Sequence, residues 1–217
     1  MDFDSIRKEY ESNGLEQSTF DKDPLKQFAE WYDVATEHLP GKWFEPNAMS
    51  LATADASGRV SVRYVLLKGV VEDGIRFFTN YDSDKGKQLA SNANCAVAFH
   101  WPYLGRQVRI EGAVEKTTRE VSKEYFHSRP RGSQIGAAVS PQSSTIELRS
   151  ELEKRRDVMI EQLDESPVPL PENWGGYLVR PNRFEFWQGR RDRLHDRLIY
   201  TRETGDQNEW KIVRLAP

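Results

Sequence analysis

The stretch "RQVRIEGAVEKT", from Arg106 to Thr117, decides the fold, because apolar and polar residues alternate along it. Val108, Ile110 and Val114 fall on the same side of an extended chain, since successive side chains of a strand point to opposite faces. One face of this strand is therefore predicted to be buried and the other to be solvated. That arrangement is typical of an antiparallel sheet.

Segments of similar half-buried character lie on both sides of this stretch. They are "AMSLATA", "VSVRYVLLKGV", "IRFFTN" and "NCAVAFHW" before it, and "YLVRPNRFEFWQG", "RLHDRLIYTRE" and "EWKIVRLAP" after it. The turn signal "DASG" between the first two segments predicts a β-hairpin. Together the segments predict an antiparallel barrel or sandwich.

Helical patterns surround these strands. In "DPLKQFAEWYDVATEHL", Asp23 is the expected N-cap and Pro24 the first helical residue. Further helices are predicted in "SDKGKQLASN", "TTREVSKEYFHS" and "STIELRSELEKRRDVMIEQLD". The expected class is α+β, with one barrel domain over residues 23–217 and an N-terminal arm over residues 1–22.

Composition excludes several classes of protein. The 217 residues include 31 Lys and Arg against 34 Asp and Glu, so neither a nucleic acid nor an anionic membrane is an expected partner. No apolar run approaches the roughly 18 residues of a membrane helix, and the N-terminus lacks a signal pattern, which predicts a soluble cytoplasmic protein. Cys95 lies in an apolar run and is predicted to be a buried hydrophobe, and no metal-ligand spacing is present.

One segment, "EFWQGRRDRLHDR" from Glu185 to Arg197, concentrates cations in this acidic chain. Arg193, His195 and Arg197 alternate, so an extended strand would place all three on one face. Cations held side by side repel one another, and an anion between them removes that repulsion. We therefore expect a negatively charged ligand at this segment.

Three further segments suit a bound anion. They are "RYVLLK" (63–68), "FFTN" with the following "SDKGK" (77–87), and "YFHSRPRGSQ" (125–134). The helix predicted to start in "SDKGK" would point backbone N–H groups and its dipole at an anion. Each segment alone also fits an ordinary solvated surface, but together they predict sites for two phosphate groups.

The order of motifs resembles a known family. "RYVLLK", "FFTN", "RQVRIEG", "YFHSRPRGSQIGA", "VSPQSS", "EFWQG", "RLHDR" and a terminal "RLAP" occur as in the pyridoxamine 5′-phosphate oxidase family, over nearly the whole chain. The resemblance implies an FMN-binding split β-barrel of Greek-key type. It also implies a homodimer that holds FMN in the cleft between its subunits.

The resemblance assigns a role to each matched residue. FMN would contact Arg63, Tyr64, Val65, Leu66, Leu67, Lys68, Phe78, Thr79, Lys85, Gln107, Gln142, Ser143, Trp187 and Arg197. The substrate would contact Lys68, Tyr125, Arg129, Ser133, Arg193, His195 and the covering segment Arg7, Lys8, Glu9 and Tyr10. Arg193 and His195 are the implied catalytic residues.

The implied reaction converts pyridoxamine and pyridoxine 5′-phosphates to pyridoxal 5′-phosphate. Molecular oxygen is the electron acceptor, and hydrogen peroxide is released, with ammonia from the amine. The sequence departs from the family at Asp84, where arginine is usual. An aspartate repels phosphate, so Asp84 is left out of the site, and Lys85, with Lys87 as a second candidate, is expected to hold that end of the flavin.

Two other functions are compatible with parts of this pattern. A related split-barrel flavin oxidase acting on another substrate, such as a phenazine precursor, would lack the substrate-phosphate residues. A non-catalytic flavin-binding module would need neither Arg193 nor His195. The substrate-phosphate residues are present, and so are Arg193 and His195, which favours the phosphate-ester oxidase. Trp187 also fits a plain core aromatic.

Overall fold

The computed structural model of the protein describes residues 9, 10, 12, 14–71, 74–202 and 209–217, and these contain five helices and nine strands. The helices are α1 (Pro24–Glu37), α2 (Asp84–Ser91), α3 (Arg119–Ser128), α4 (Arg131–Val139) and α5 (Arg149–Leu163). The strands are β1 (Ala48–Ala54), β2 (Val60–Leu66), β3 (Gly69–Val71), β4 (Gly74–Asn80), β5 (Asn94–Trp101), β6 (Arg106–Lys116), β7 (Trp174–Gln188), β8 (Asp196–Arg202) and β9 (Trp210–Leu215).

The strands form one curled antiparallel sheet, which confirms the predicted α+β class. Its order is β2-β1-β5-β6-β7-β4-β3, and β8 and β9 continue from β7. Strand β7 has 15 residues. It pairs with β4 near its start and with β8 near its end. The two ends of β7 therefore lie in different surroundings.

The hairpin predicted at "DASG" is confirmed. Ala54 of β1 pairs with Val60 of β2, and the carboxylate of Asp55 accepts hydrogen bonds from the backbone N–H groups of Ser57 and Arg59. An aspartate that satisfies backbone groups two residues on stabilises a tight turn. The local sequence thus fixes the register of the first two strands.

The core lies between α1 and the sheet. Asp23 caps α1 as predicted, its side chain accepting from the backbone N–H of Leu25 at 2.9 Å. Phe28 and Trp31 of α1 pack on the sheet, and Val108 and Ile110 of β6 are fully buried, in agreement with the alternation. A smaller cluster joins α3, α4 and the start of β7; it comprises Phe126, Ile135, Val168 and Trp174.

The structure departs from the sequence analysis at four places. Helix α4 was not among the predicted helices, and its sequence "RGSQIGAAV" holds two glycines; burial of Ile135 against the smaller cluster overrides that weak propensity. Strand β7 begins at Trp174, ahead of the predicted segment "YLVRPNRFEFWQG". Helix α5 begins at Arg149 rather than near Ser144. The strand expected through Arg193 is a 3₁₀ turn, described below.

Candidate active site

A cleft of about 570 Å³ opens between β2, β4 and the α3–α4 pair, beside the start of β7. Most of the residues that the resemblance assigned to the flavin phosphate and the substrate phosphate line it. They are Tyr64, Val65, Leu66, Lys68, Phe78, Thr79, Lys85, Tyr125, Arg129, Ser133 and Gln142. Segments far apart in sequence are thus brought to one concave surface, which we call the phosphate cleft.

Lys85 is the buried cation at one side of the phosphate cleft. It lies in the first turn of α2, whose N-cap Ser83 accepts from the backbone N–H of Gly86. Its Nζ donates to Thr79 Oγ1 at 3.2 Å and to Gln142 Oε1 at 3.1 Å. Burial, and then the charge of nearby Arg63, lower the pKa of Lys85. Among the described residues its close partners are neutral oxygens, so an added anion would stabilise its charge.

Arg129, at the C-cap of α3, is the second cation of the cleft and is half-buried. Its guanidinium lies 4.9 Å from the ring centroid of Trp174, and its Nη1 is buried with no hydrogen-bond partner in the described part of the chain. Burial lowers the pKa of Arg129. A buried N–H without a partner costs free energy, and a phosphate oxygen in the cleft would remove that cost.

Three aromatic rings form a wall of the cleft. Phe78 stacks on Tyr125 with centroids 3.9 Å apart, and Trp174 lies nearly parallel to both rings. The sequence did not indicate Trp174, which follows a proline-rich segment. Other lining residues that it missed are Asn80, Pro130, Gly136, Ala137 and Ser140.

Three of the remaining flavin residues, Gln107, Trp187 and Arg197, line a second cavity of about 270 Å³ at the end of β7. Gln107 of β6 pairs with Trp187 of β7, which pairs with Arg197 of β8, so the three form one row across the sheet. Arg109, Glu185 and Pro217 complete the lining. We call this the terminal row.

Cations of the terminal row already have carboxylate partners. Arg197 donates to Glu185 from Nε at 2.8 Å and from Nη2 at 3.2 Å, and this raises the pKa of Arg197. Burial opposes ionisation of Glu185, but the hydrogen bond from Arg197 and the charge of Arg109 outweigh it and lower its pKa. The expectation that this segment needs an external anion to relieve its cations is therefore wrong for Arg197.

Arg193 and His195 do not share a strand face with Arg197. Residues Arg191–Arg193 form a 3₁₀ turn, Asp192 and Arg193 have φ of 56° and 59°, and β8 begins only at Asp196. Positive φ rules out the extended conformation that the alternation suggested.

The ring of His195 is held beside Trp187, with centroids 4.6 Å apart. His195 Nδ1 accepts a hydrogen bond from the backbone N–H of Arg190 at 3.0 Å, so the neutral ring carries its proton on Nε2. Burial, and then the charge of Arg193, lower the pKa of His195 from 6.5. The Nε2–H of the neutral ring is therefore the group that can donate a hydrogen bond.

Several assigned residues lie outside both cavities. Arg63 donates to Leu51 O and Gln88 Oε1, and Leu67 is part of the core. Ser143 has φ of 71°, a strained conformation for a serine next to the cleft residue Gln142. Glu9 is exposed, whereas Tyr10 contacts His195. Arg7 and Lys8 fall outside the described residues.

Asp84 and Lys87 line a neighbouring cavity together with Arg59 rather than the phosphate cleft. The charge of Asp84 nevertheless reaches Arg63 and Lys85, raising the pKa of each against the effect of burial. Lys85 is therefore the lysine of α2 that faces the cleft, and Lys87 does not join it there.

Comparison with known proteins identifies the family. Residues 36–159 match the family model for pyridoxamine 5′-phosphate oxidase, and residues 174–217 match that for the pyridoxine 5′-phosphate oxidase C-terminal dimerisation region. The chain belongs to the pyridoxamine 5′-phosphate oxidase family.

Relatives in this family are similar over nearly their whole length. The pyridoxine/pyridoxamine 5′-phosphate oxidase of Rhodopirellula baltica is 51% identical over 215 residues, covering 99% of this chain and 96% of its own. That of Burkholderia thailandensis is 50% identical over 213 residues, with 98% and 97% covered. The similarity to these relatives supports the interpretation of this chain as an oxidoreductase.

Solved structures support the split-barrel fold. PhzG from Burkholderia lata 383, in complex with tetrahydrophenazine-1-carboxylic acid, superposes with a TM-score of 0.85 at 26% identity, covering 94% of this chain and 98% of that one. A pyridoxamine 5′-phosphate oxidase-related, FMN binding protein from Nostoc punctiforme has a TM-score of 0.71 at 17% identity, with 91% and 100% covered, and shows the fold alone.

Two features are absent from the described residues. No three or more His, Cys, Asp or Glu side chains come together in a group that could hold a metal ion. No helix in this part of the chain has the length and apolar character needed to cross a membrane.

Proposed function

We propose that the protein is an FMN-dependent oxidase that converts pyridoxamine 5′-phosphate and pyridoxine 5′-phosphate to pyridoxal 5′-phosphate. The observation that carries the proposal is the presence of two cations shielded from water in one cleft, buried Lys85 and half-buried Arg129, neither of which has a carboxylate partner among the described residues. One phosphate belongs to the flavin and the other to the substrate. A cation that is shielded from water and has no carboxylate partner destabilises the folded protein unless an anion binds there.

FMN is the flavin that fits this chain. Lys85, Thr79 and Gln142 would hold its phosphate beside the start of α2, where backbone N–H groups and the helix dipole also favour an anion. Gln107, Trp187 and Arg197 would contact it from the terminal row. Bound FMN would supply the redox chemistry, taking two electrons from the substrate and passing them to O₂, which leaves as hydrogen peroxide.

The substrate phosphate is assigned to Arg129, Ser133, Tyr125 and Lys68. Arg129 Nη1 offers an unused donor, and Ser133 lies in the first turn of α4 beside it. Charge-assisted hydrogen bonds of this kind orient a phosphate ester as well as bind it. Arg193 and His195 are assigned to the reacting end, where the Nε2–H of neutral His195 can donate a hydrogen bond.

The separation of the two cavities supports a homodimer with FMN between its subunits. Trp174 and Trp187 begin and nearly end the same strand, and 13 strand residues extend roughly 40 Å at about 3.3 Å each. One flavin reaches both groups most simply when each comes from a different subunit. The match of residues 174–217 to a dimerisation region and the exposed Val60, Val62 and Tyr64 of β2 agree with this arrangement.

The proposal is tested by spectroscopy and turnover. The purified protein should be yellow and release FMN on denaturation, and anaerobic pyridoxamine 5′-phosphate should bleach it. Air should restore the colour with one hydrogen peroxide per aldehyde formed. Dephosphorylated pyridoxamine is the matched control and should bleach it far more slowly. A colourless protein that does not take up FMN, or equal rates with both amines, would overturn the proposal.

A phenazine-type substrate is the second candidate, favoured by the similarity to PhzG. Such a substrate carries a carboxylate on its ring system and has no phosphate ester. Arg129 would then have no phosphate oxygens to bind. Bleaching by a reduced phenazine carboxylate, undiminished in Arg129→Ala, would favour this candidate over the phosphate ester.

A further inference from the structure

Residues 9, 10, 12 and 14–20, here called the strap, lie across the end of β7 and the strands beside it. Ser12 Oγ donates to Gly189 O at 2.8 Å, and Leu15 is buried in the main core. Farther along, Tyr200 donates to Asp21 O. The strap thus passes directly beside the terminal row.

Tyr10 is the strap residue that reaches the candidate catalytic histidine. Its ring meets Trp187 edge to face at 5.6 Å and His195 at 5.7 Å. It rests on the backbone of Gly105 and Gly189, where an added Cβ would press into the ring. Only residues without a side chain leave room for Tyr10 in this position.

Asp196 holds the strap in place. Its Oδ2 accepts from the backbone N–H of Leu15 at 3.0 Å and from Arg190 Nη1 at 3.1 Å, while its Oδ1 accepts from Arg214. Arg214 Nη2 in turn donates to Leu15 O at 2.6 Å. Both backbone polar groups of Leu15 are therefore bound by a single aspartate–arginine pair.

Asp196 is ionised and buried where it makes these contacts. Only 8% of the residue is exposed. Burial opposes its ionisation, but the hydrogen bonds from Arg190 and Leu15 and the charge of Arg214 outweigh it and lower the pKa. Without the carboxylate, two arginines and a backbone N–H would face one another with no acceptor between them.

The same cluster also reaches His195. Arg190, whose side chain binds Asp196, donates its backbone N–H to His195 Nδ1. One carboxylate therefore connects the strap, which carries Tyr10, to the loop that carries Arg193 and His195.

We infer that Asp196 is a positioning residue that fastens the strap so that Tyr10 covers Trp187 and His195 when substrate is bound. This inference rests on the proposed function for its effect on turnover, although the fastening itself does not. Asp196 acts through Leu15 and Arg190 and is not assigned a contact with the substrate. Its loss should weaken substrate binding by releasing the strap.

Hydrogen–deuterium exchange of the FMN-loaded protein tests the fastening. In Asp196→Asn, backbone amides of the strap, Leu15 above all, should exchange roughly tenfold faster or more, because a charged hydrogen bond is lost. Asp157→Asn is the matched control, since Asp157 pairs with Arg156 on the exposed α5, far from the strap in sequence and contacts. Equal exchange in Asp196→Asn and the unchanged protein would overturn the inference.

A glycine pair gives an independent test. Gly14 has φ of +82° and Gly58 has φ of +83°, so alanine strains the backbone equally at both. An added Cβ at Gly14 overlaps Arg190 and crowds Asp196, whereas at Gly58 it meets nothing within 4 Å. Gly14→Ala should speed strap exchange and raise KM, and Gly58→Ala should do neither. Indistinguishable behaviour of the two variants would contradict the inference.

A double-mutant cycle tests whether Asp196 acts through Tyr10. Asp196→Asn and Tyr10→Ala should each raise KM, by roughly tenfold, and the double variant should be no worse than the more impaired single one. Additive effects would mean that Asp196 acts by another route and would overturn the inference. If no substrate is oxidised, the exchange results still decide the fastening, and only the proposed function fails.

Discussion

The cations near the two ends of strand β7 differ in whether a carboxylate neutralises them. At its start, buried Lys85 lies beside neutral oxygens and half-buried Arg129 lies beside an aromatic ring. At its end, Arg197 is bound by Glu185 and Arg190 by Asp196. At this end the charges of Arg197 and Arg190 are thus already balanced by carboxylates. The proposed function therefore puts both phosphates at the phosphate cleft, whose cations lack a carboxylate partner among the described residues, and gives the terminal row a role in orientation.

Removing Arg129 should have the largest effect. Arg129→Ala should raise KM for pyridoxine 5′-phosphate roughly 10- to 150-fold, because a charged hydrogen bond to phosphate contributes about 1.5–3 kcal/mol. Arg131→Ala is the matched control, since Arg131 is exposed and donates to the backbone oxygens of Ser166 and Asp164. Steady-state kinetics measures both. A similar rise in the two variants would mean that the phosphate lies elsewhere.

Removing Lys85 should weaken the flavin phosphate site. Lys85→Met should reduce affinity for FMN roughly tenfold or more and leave affinity for riboflavin, which has no phosphate, nearly unchanged. Lys87→Met should affect neither, because Lys87 lines another cavity. Fluorescence titration of the flavin-free protein measures both ligands. Equal losses for FMN and riboflavin would place the phosphate away from Lys85.

At the balanced end, removing a carboxylate should affect stability. Glu185→Gln should lower the free energy of unfolding of the flavin-free protein by about 1 kcal/mol, reduced from the buried value because Arg197 stays partly exposed. Glu115→Gln is the control, since Glu115 pairs with Arg180 at an exposed position, and it should have little effect. Urea denaturation measures the difference.

The pH dependence of that difference has a definite sign. The pKa of Glu185 is lowered on folding, so its stabilisation is present above the ordinary value of 4.5. It is lost as pH falls below 4.5 towards the lower folded pKa. If the loss of unfolding free energy caused by Glu185→Gln grew as the pH fell, the pairing of Glu185 with Arg197 would be contradicted.

Asp84 should give the smallest effect. Asp84→Asn removes a negative charge near Lys85 and should tighten FMN binding by about fivefold or less, since the interaction is partly screened. The affinity for riboflavin should not change. Asp82→Asn is the control, since the carboxylate of Asp82 accepts a hydrogen bond from Asn173. Looser FMN binding in Asp84→Asn would show that Asp84 stabilises the cation pair Arg63 and Lys85 instead.

The sequence predicted the sheet because the sheet depends on local signals, whereas the residues assigned to the phosphate cleft came mainly from the family resemblance. The alternation in β6, the turn at Asp55 and the cap at Asp23 each act over a few residues. Trp174 could not be found in this way, because its role depends on Phe78 and Tyr125 meeting it from separate elements.

The sequence also could not show which cations are paired with carboxylates. The alternation of Arg193, His195 and Arg197 suggested a strand, but the left-handed residues Asp192 and Arg193 turn the chain before β8 begins. Glu185 contacts Arg197 because of the register between β7 and β8, which no local pattern specifies. Charge counts along a segment therefore did not reveal which cations were already neutralised.

The length of β7 has a genetic consequence. In a two-fold dimer of the proposed kind, each active site would take the start of one β7 and the end of the other. A chain damaged at Arg129 and a chain damaged at Arg197 would then complement each other when co-expressed. Their mixed dimer would contain one site with both lesions and one with neither, so random pairing of two inactive chains would restore about a quarter of the normal activity.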